Sequence, residues 1–293
     1  LFRKRSTSSN KEADSNVTHL LHPNNDGQYL IDVTPQSAEW DYLGYRVVRL
    51  GPGERYDHAT GTTEIALVPL QGQALLHAGQ EKYEVARRGV FEELAPVLYA
   101  PPGTEVTVET ETGIEFAIGS APAEGKYPVR LIRPAEIRCE LRGGGAASRQ
   151  VCHTLAHPLP AERLILFEVY VPGGHWSGWP PHCHDGYGGS PYLEETYYFR
   201  TNPGHGFGLH RNYRVDRDFD EVLPVGDGDL VLVTQGFHST AAAPNCNLYF
   251  LNYLAGELLD EARATPPFDD PTFAYIKEDW GAHTLSLPVI DQE

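Results

Sequence analysis

The segment WPPHCHDGYGGSPYLEETYYF, Trp179 to Phe199, carries two histidines one residue apart and then, past a Gly/Pro-rich loop, two adjacent glutamates entering an aromatic run. In a strand, residues two apart share a face, so His182 and His184 project together while Cys183 points away. Glu195, with Tyr197 and Phe199 on its side of the next strand, converges on them from across a hairpin. Adjacent strand residues face opposite sides, so Glu194 turns outward and Glu195 is the preferred inward carboxylate. His238, after the turn TQGF, arrives from a later strand. Three imidazoles and one carboxylate, with positions left for water or substrate, describe an open divalent transition-metal site. A lone H-x-H is commonly a surface or hydrogen-bonded pair; Pro180 and Pro181 before it and the Glu-led strand after it favour the metal.

Working outward, long helical periodicity is scarce. Short apolar or alternating runs bounded by Gly, Pro, Asn or Asp recur instead, among them TEIALVPLQGQ, PVLYAPPGTEVTVET, LILFEVYVPGG and GDLVLVTQG. Such spacing predicts an all-β antiparallel barrel or sandwich. The runs also superimpose: Arg46–Gly72 parallels Glu168–Gly204, and VLYAPPGTEVTVET parallels LVLVTQGFHSTAAA, so one β unit is used twice. The stretch Arg133–Val151, with three consecutive glycines, is expected to connect the copies. The tail holds FDDPTFAYIKEDW, expected as a loop and short helix over a barrel mouth. In the first copy His58 and Glu64 stand at the equivalent positions, with Glu105 near the place of His238 and no H-x-H pair. A competent site is therefore expected only in the second copy.

Composition bounds the function. The 293 residues include 29 Gly and 23 Pro, and 23 basic against 40 acidic residues give a formal charge of −17. That field repels phosphate backbones and anionic membrane faces, so nucleic acid and membrane are not expected partners. An anionic substrate would need a few local arginines to overcome it. The longest nearly apolar run, from Leu164, is far shorter than a membrane span and contains Glu168. The start LFRKRSTSSNKEADSN reads as a frayed terminus of a cytoplasmic protein. Cys139, Cys152, Cys183 and Cys246 show no short paired spacing and are expected as reduced thiols.

H-x-H, a Glu opening an aromatic strand, and a Gly-Asp strand ending in a turn and His together resemble the two cupin motifs, and the doubled unit resembles a bicupin. The segments GGGAASRQV, EVYVPGG, WPPHCHD, YLEETYYFR, GFGLHRNY, GDGDLVLVTQGFHS and LNYLAG are similar to the 5-deoxy-glucuronate isomerase family of inositol catabolism, from about Leu20 to Trp280. The resemblance implies two jelly-roll barrels in tandem: a degenerate one over residues 17–145, a metal-binding one over 146–265, and a tail over 266–293 packed on both. It implies His182, His184, Glu195 and His238 as metal ligands, zinc as the expected ion, and manganese, iron or nickel as alternatives.

The activity so implied is aldose–ketose isomerisation of 5-deoxy-glucuronate to 2-deoxy-5-keto-gluconate. A base must take a proton from the carbon beside the aldehyde; Glu195, Tyr197 and Tyr213 are candidates. The uronate carboxylate calls for a bidentate guanidinium, from Arg211 or Arg149, with His175 at the mouth. Closed barrels stacked through their faces commonly form symmetric homo-oligomers. Alternatives are a 4-deoxy-5-keto-uronate ketol-isomerase, a metal-dependent dioxygenase, which would need redox-active iron, and a non-catalytic sugar-binding cupin.

Overall fold

A computed structural model describes residues 18–281 and 283–289; the basic stretch expected to be frayed lies outside the described residues. The first half forms β1 (Leu20–Leu21), β2 (Tyr29–Val33), β3 (Gly44–Leu50), β4 (Arg55–Ala59), β5 (Thr63–Ala78), β6 (Glu81–Arg87), β7 (Val97–Ala100), β8 (Glu105–Glu109), β9 (Ile114–Pro122) and β10 (Arg130–Ile132). The second forms β11 (Arg138–Arg142), β12 (Arg149–Leu155), β13 (Ile165–Val171), β14 (Trp176–Cys183), β15 (Leu193–Asn202), β16 (Gly208–Tyr213), β17 (Asp220–Val225), β18 (Leu230–Val233), β19 (Phe237–Ala242), β20 (Asn247–Gly256) and β21 (Phe268–Asp269). The remaining regular elements are short 3-10 turns, and no helix among the described residues is long and apolar enough to cross a membrane.

The repeat read from the sequence is visible in the strand order. β7-β5-β9-β3-β2 in the first half matches β18-β15-β20-β13-β12 in the second. These two sheets stack back to back. Alternation along β15 explains how: Tyr198 joins Tyr45, Tyr249 and Tyr253 in the layer between the halves, whereas Tyr197 and Phe199 face the interior of the second barrel with Phe250, Val231 and Val233. Strands buried on both faces carry near-continuous apolar runs, which is why LVLV and LYFL show no polar alternation. The interior of the second barrel is closed on its far side by the sheet β17-β16-β19-β14-β21.

One strand is exchanged: β1, from the start of the chain, pairs with β18 of the second half, whereas β10 pairs with β7 of its own half. The three glycines expected to connect the copies are instead the turn of the β11–β12 hairpin, both strands of which belong to the second sheet. Within that hairpin Cys139 and Cys152 are register partners joined as a disulfide, correcting the expectation of reduced thiols for this pair, while Cys183 and Cys246 are free. Their 13-residue separation looks unpaired in the sequence and becomes adjacent only once the hairpin closes.

Register also corrects the comparison of the two copies. Glu64 lies opposite Ala121 in β9, as Glu194 lies opposite Ala255 in β20. Glu64 is therefore the counterpart of Glu194, and Ile65, buried in the apolar filling of the first barrel, takes the place of Glu195. His58 faces Val106, as His182 faces His238, so the position expected for Glu105 holds a buried valine. The first barrel is filled with hydrocarbon where the second is polar.

Candidate metal centre

Four side chains from three strands meet at one end of the second barrel. β14 presents His182 and leads into His184, β15 supplies Glu195, and β19 supplies His238 directly across from His182. His184 Nε2 is 2.8 Å from Glu195 Oε2, and His238 Nε2 is 3.3 Å from the same oxygen. The rings of His182 and His238 are 4.5 Å apart. Donor atoms of His184, Glu195 and His238 all lie within 4.8 Å of one another, the only such trio among the described residues.

Protonation describes what the site wants. His184 Nδ1 faces the Leu193 carbonyl at 2.9 Å while its Nε2 faces Glu195, so two acceptors share one ring and demand a cation there. Burial opposes that charge, yet the Glu195 carboxylate holds the His184 pKa above its ordinary value. Glu195 in turn is held far below the carboxylate range against its burial by His184 and His238. His182 is pushed well down by burial and by its two histidine neighbours, leaving a neutral imidazole with a free lone pair. His238 Nε2 is buried without a hydrogen-bond partner. A carbonyl-anchored histidine, a neutral histidine, an orphaned histidine nitrogen and an ionised carboxylate are a donor set that fits a divalent transition metal.

His182, His184 and Glu195 open onto a cavity of about 430 Å³ that is also lined by Tyr197, Asn252, Arg138, Arg142, Arg149 and His153. Arg149 is a guanidinium without a counter-ion. Its Nη1 reaches only the carbonyls of Ala147 (3.1 Å) and Trp179 (3.5 Å), its Nε is buried unpaired, and no carboxylate among the described residues lies within ion-pair distance. Burial, and then the charge of Arg142, pull its pKa down to about 10. Gly143 makes the room: at φ +77° a Cβ there would lie 2.2 Å from the Ala147 oxygen and 2.6 Å from Arg149 Nη1. Arg263, on the cavity rim, is spent on the carbonyls of Leu159, Leu164 and Asp260. Residues 264–267 complete the rim, and β21 beyond them pairs with the His182 strand.

Other expected site residues lie elsewhere. Arg211 points to solvent, forked onto Asp220 at 2.7 and 2.9 Å, because His210 and Asn212 take the inward face of β16. Tyr213 donates to Asp270 at 2.6 Å and packs with Phe237 and Phe268, so it anchors the tail instead of reaching the cavity. His175 sits in its turn against the Ser148 carbonyl at 3.1 Å, outside the cavity lining. Tyr197 does line the cavity, its ring 5.7 Å from His238. Sequence reasoning missed Arg138, Arg142, His153 and Asn252. The alternation Arg138, Glu140, Arg142 was a signal for a charged strand face, but assigning these residues to a linker hid it.

The KduI/IolB family profile matches residues 19–276. The chain is 41% identical over 261 residues to a 5-deoxy-glucuronate isomerase of Geobacillus thermodenitrificans, covering 87% of this chain and 93% of the relative. It is 30% identical over 270 residues to the enzyme of that name from Bacillus subtilis, covering 90% and 95%. Among solved structures, an IolB-like protein from Salmonella typhimurium LT2 superposes with a TM-score of 0.84 at 37% identity, over 89% of this chain and 99% of that one. An oxalate decarboxylase from Lactobacillus farciminis superposes at 0.59 with 11% identity, over 83% and 87%, a likeness of fold alone.

Proposed function

Because the chain belongs to the KduI/IolB family, we propose that it is an aldose–ketose isomerase converting 5-deoxy-glucuronate to 2-deoxy-5-keto-gluconate at the cavity beside His182, His184, Glu195 and His238. One observation carries the reading: three metal-type donors lie within 4.8 Å of one another, and two of them, His184 and Glu195, line a cavity with an arginine that has no counter-ion. A sugar acid has a group for each.

The reaction removes a proton from the carbon beside the aldehyde and returns it to the former aldehyde carbon, while a hydroxyl proton passes between the two oxygens. A divalent cation, zinc being the expected one, would supply Lewis acidity to those oxygens without changing redox state. The chain's own groups do the rest. Both histidines that contact Glu195 use Oε2, which leaves Oε1 to hold and return the carbon-bound proton while the Tyr197 hydroxyl relays the one that passes between the oxygens. Burial, and then Glu195, push the Tyr197 pKa well above 10, so the hydroxyl enters as a hydrogen-bond donor to a sugar oxygen. Arg149 binds the carboxylate and fixes which end of the open chain faces Glu195. Tyr213 and Arg211 take no part.

The test is elemental analysis of the purified protein combined with incubation of 5-deoxy-glucuronate and NMR identification of the product. One equivalent of transition metal and formation of the ketose support the proposal. A metal-replete protein that leaves the aldose unchanged sinks it.

A further inference from the structure

The carboxylate assignment leaves one arrangement unexplained. In the β11–β12 hairpin, Arg142 is the direct register partner of Arg149. Like charges directly opposite across a strand pair destabilise the sheet. Here the cost is aggravated, because Arg149 Nε is buried without any partner. Arg142 is held by Glu140 through Nε at 2.6 Å, and Glu140 is also engaged by Arg138 at 3.0 Å and His153 at 3.0 Å. One carboxylate therefore serves three cationic or ionisable neighbours, and none serves Arg149. Alternation puts Arg138, Glu140 and Arg142 on the strand face shared with Arg149, and the arginines line the cavity, while the Cys139–Cys152 disulfide is on the opposite face.

Resting on the isomerase reading of the same cavity, we propose that Arg142 is a second specificity-determining residue: Arg142 and Arg149 form an anion slot for the uronate carboxylate, and Glu140 holds Arg142 in place beside it. The like-charge pair is relieved when the anion enters. A neutral sugar offers it nothing.

Arg142→Gln, Arg142→Lys and wild type are compared for kcat/KM on 5-deoxy-glucuronate and on neutral 5-deoxyglucose, and by calorimetric titration with D-glucuronate and D-glucose. Loss of one charge-assisted contact lowers the acid-to-neutral preference of Arg142→Gln by about 10- to 100-fold in both measurements, with partial recovery in Arg142→Lys. Preferences within twofold of wild type, equal losses on acid and neutral sugars, or a wild type that binds D-glucuronate no better than D-glucose each overturn the slot. A wild type inert toward 5-deoxy-glucuronate, whose D-glucuronate binding still depends on Arg142, fails the isomerase reading and supports the slot.

Discussion

Glu64 and Glu194 are the same residue of the repeat, and each reaches across into the other half of the molecule. Glu194 accepts the backbone N–H groups of Asp41, Tyr42 and Leu43 at 2.7 to 2.9 Å, just ahead of β3. Glu64 accepts those of Glu162, Arg163 and Leu164 at 2.6 to 2.8 Å, just ahead of β13, and the Tyr99 hydroxyl at 2.8 Å. Each carboxylate thus satisfies three amides of a chain reversal that has no strand partner for them.

Removing either clamp leaves those buried donors unpaired. Glu194→Ala and Glu64→Ala are each expected to lower unfolding free energy by about 3–5 kcal/mol, read as a shifted urea midpoint. Glu194→Ala should keep its metal stoichiometry if it remains folded, since Glu195 and not Glu194 faces the histidines.

At the proposed metal centre, His184→Ala and His238→Ala are expected to abolish isomerisation and lower bound metal by at least tenfold, as loss of one of the four proposed ligands would. Elemental analysis and product NMR read both, with circular dichroism checking that the β fold persists. Unchanged turnover in either variant contradicts the ligand assignment.

Prolonged chelation of the purified enzyme should remove activity reversibly. Readdition of zinc or manganese under anaerobic conditions should restore ketose formation, because the proposed chemistry needs a Lewis acid and no oxygen. A strict requirement for oxygen would point to the dioxygenase instead.

The disulfide ties edge strand β11 to β12 between cysteines 13 positions apart in the chain. Reducing it, or replacing both cysteines with serine, should destabilise the protein by about 2–3 kcal/mol and speed amide exchange over residues 138–142. KM for the uronate should rise more than kcat falls, because Arg142 rides on the loosened strand.

Gly143→Ala asks whether the turn exists for the guanidinium behind it. A methyl group there meets both the Ala147 carbonyl and Arg149 at a left-handed φ, and a loss of about 1–3 kcal/mol is expected, together with weakened D-glucuronate binding. Normal stability and binding would mean that Arg149 has freedom the geometry denies it.

How much of this could be read from residues alone follows contact distance along the chain. The convergence of the histidines and Glu195 was legible because the period of two in HCH and EETYYF states which side chains share a face, and the same rule separated Glu195 from Glu194. It would have excluded Arg211 too, had inward His210 and Asn212 been used to set the phase of β16. Tyr213 could not be placed, since its partner Asp270 is 57 residues away. The Glu64 and Glu194 clamps join segments 98 to 100 and 151 to 153 residues apart. Their sequence signature, a Glu before an apolar run, is shared with metal ligands, and so Glu64 was matched to the wrong glutamate.

The exchanged strand bears on why a hydrocarbon-filled copy persists beside a chemically equipped one. Excising the second half would strip β1 from Leu230–Val233 and bare an apolar, unpaired edge, the kind that recruits other chains into aggregates; excising the first would also expose the tyrosine layer behind it. β1 locks the two units together, so the hydrocarbon-filled copy is part of the scaffold against which its twin folds.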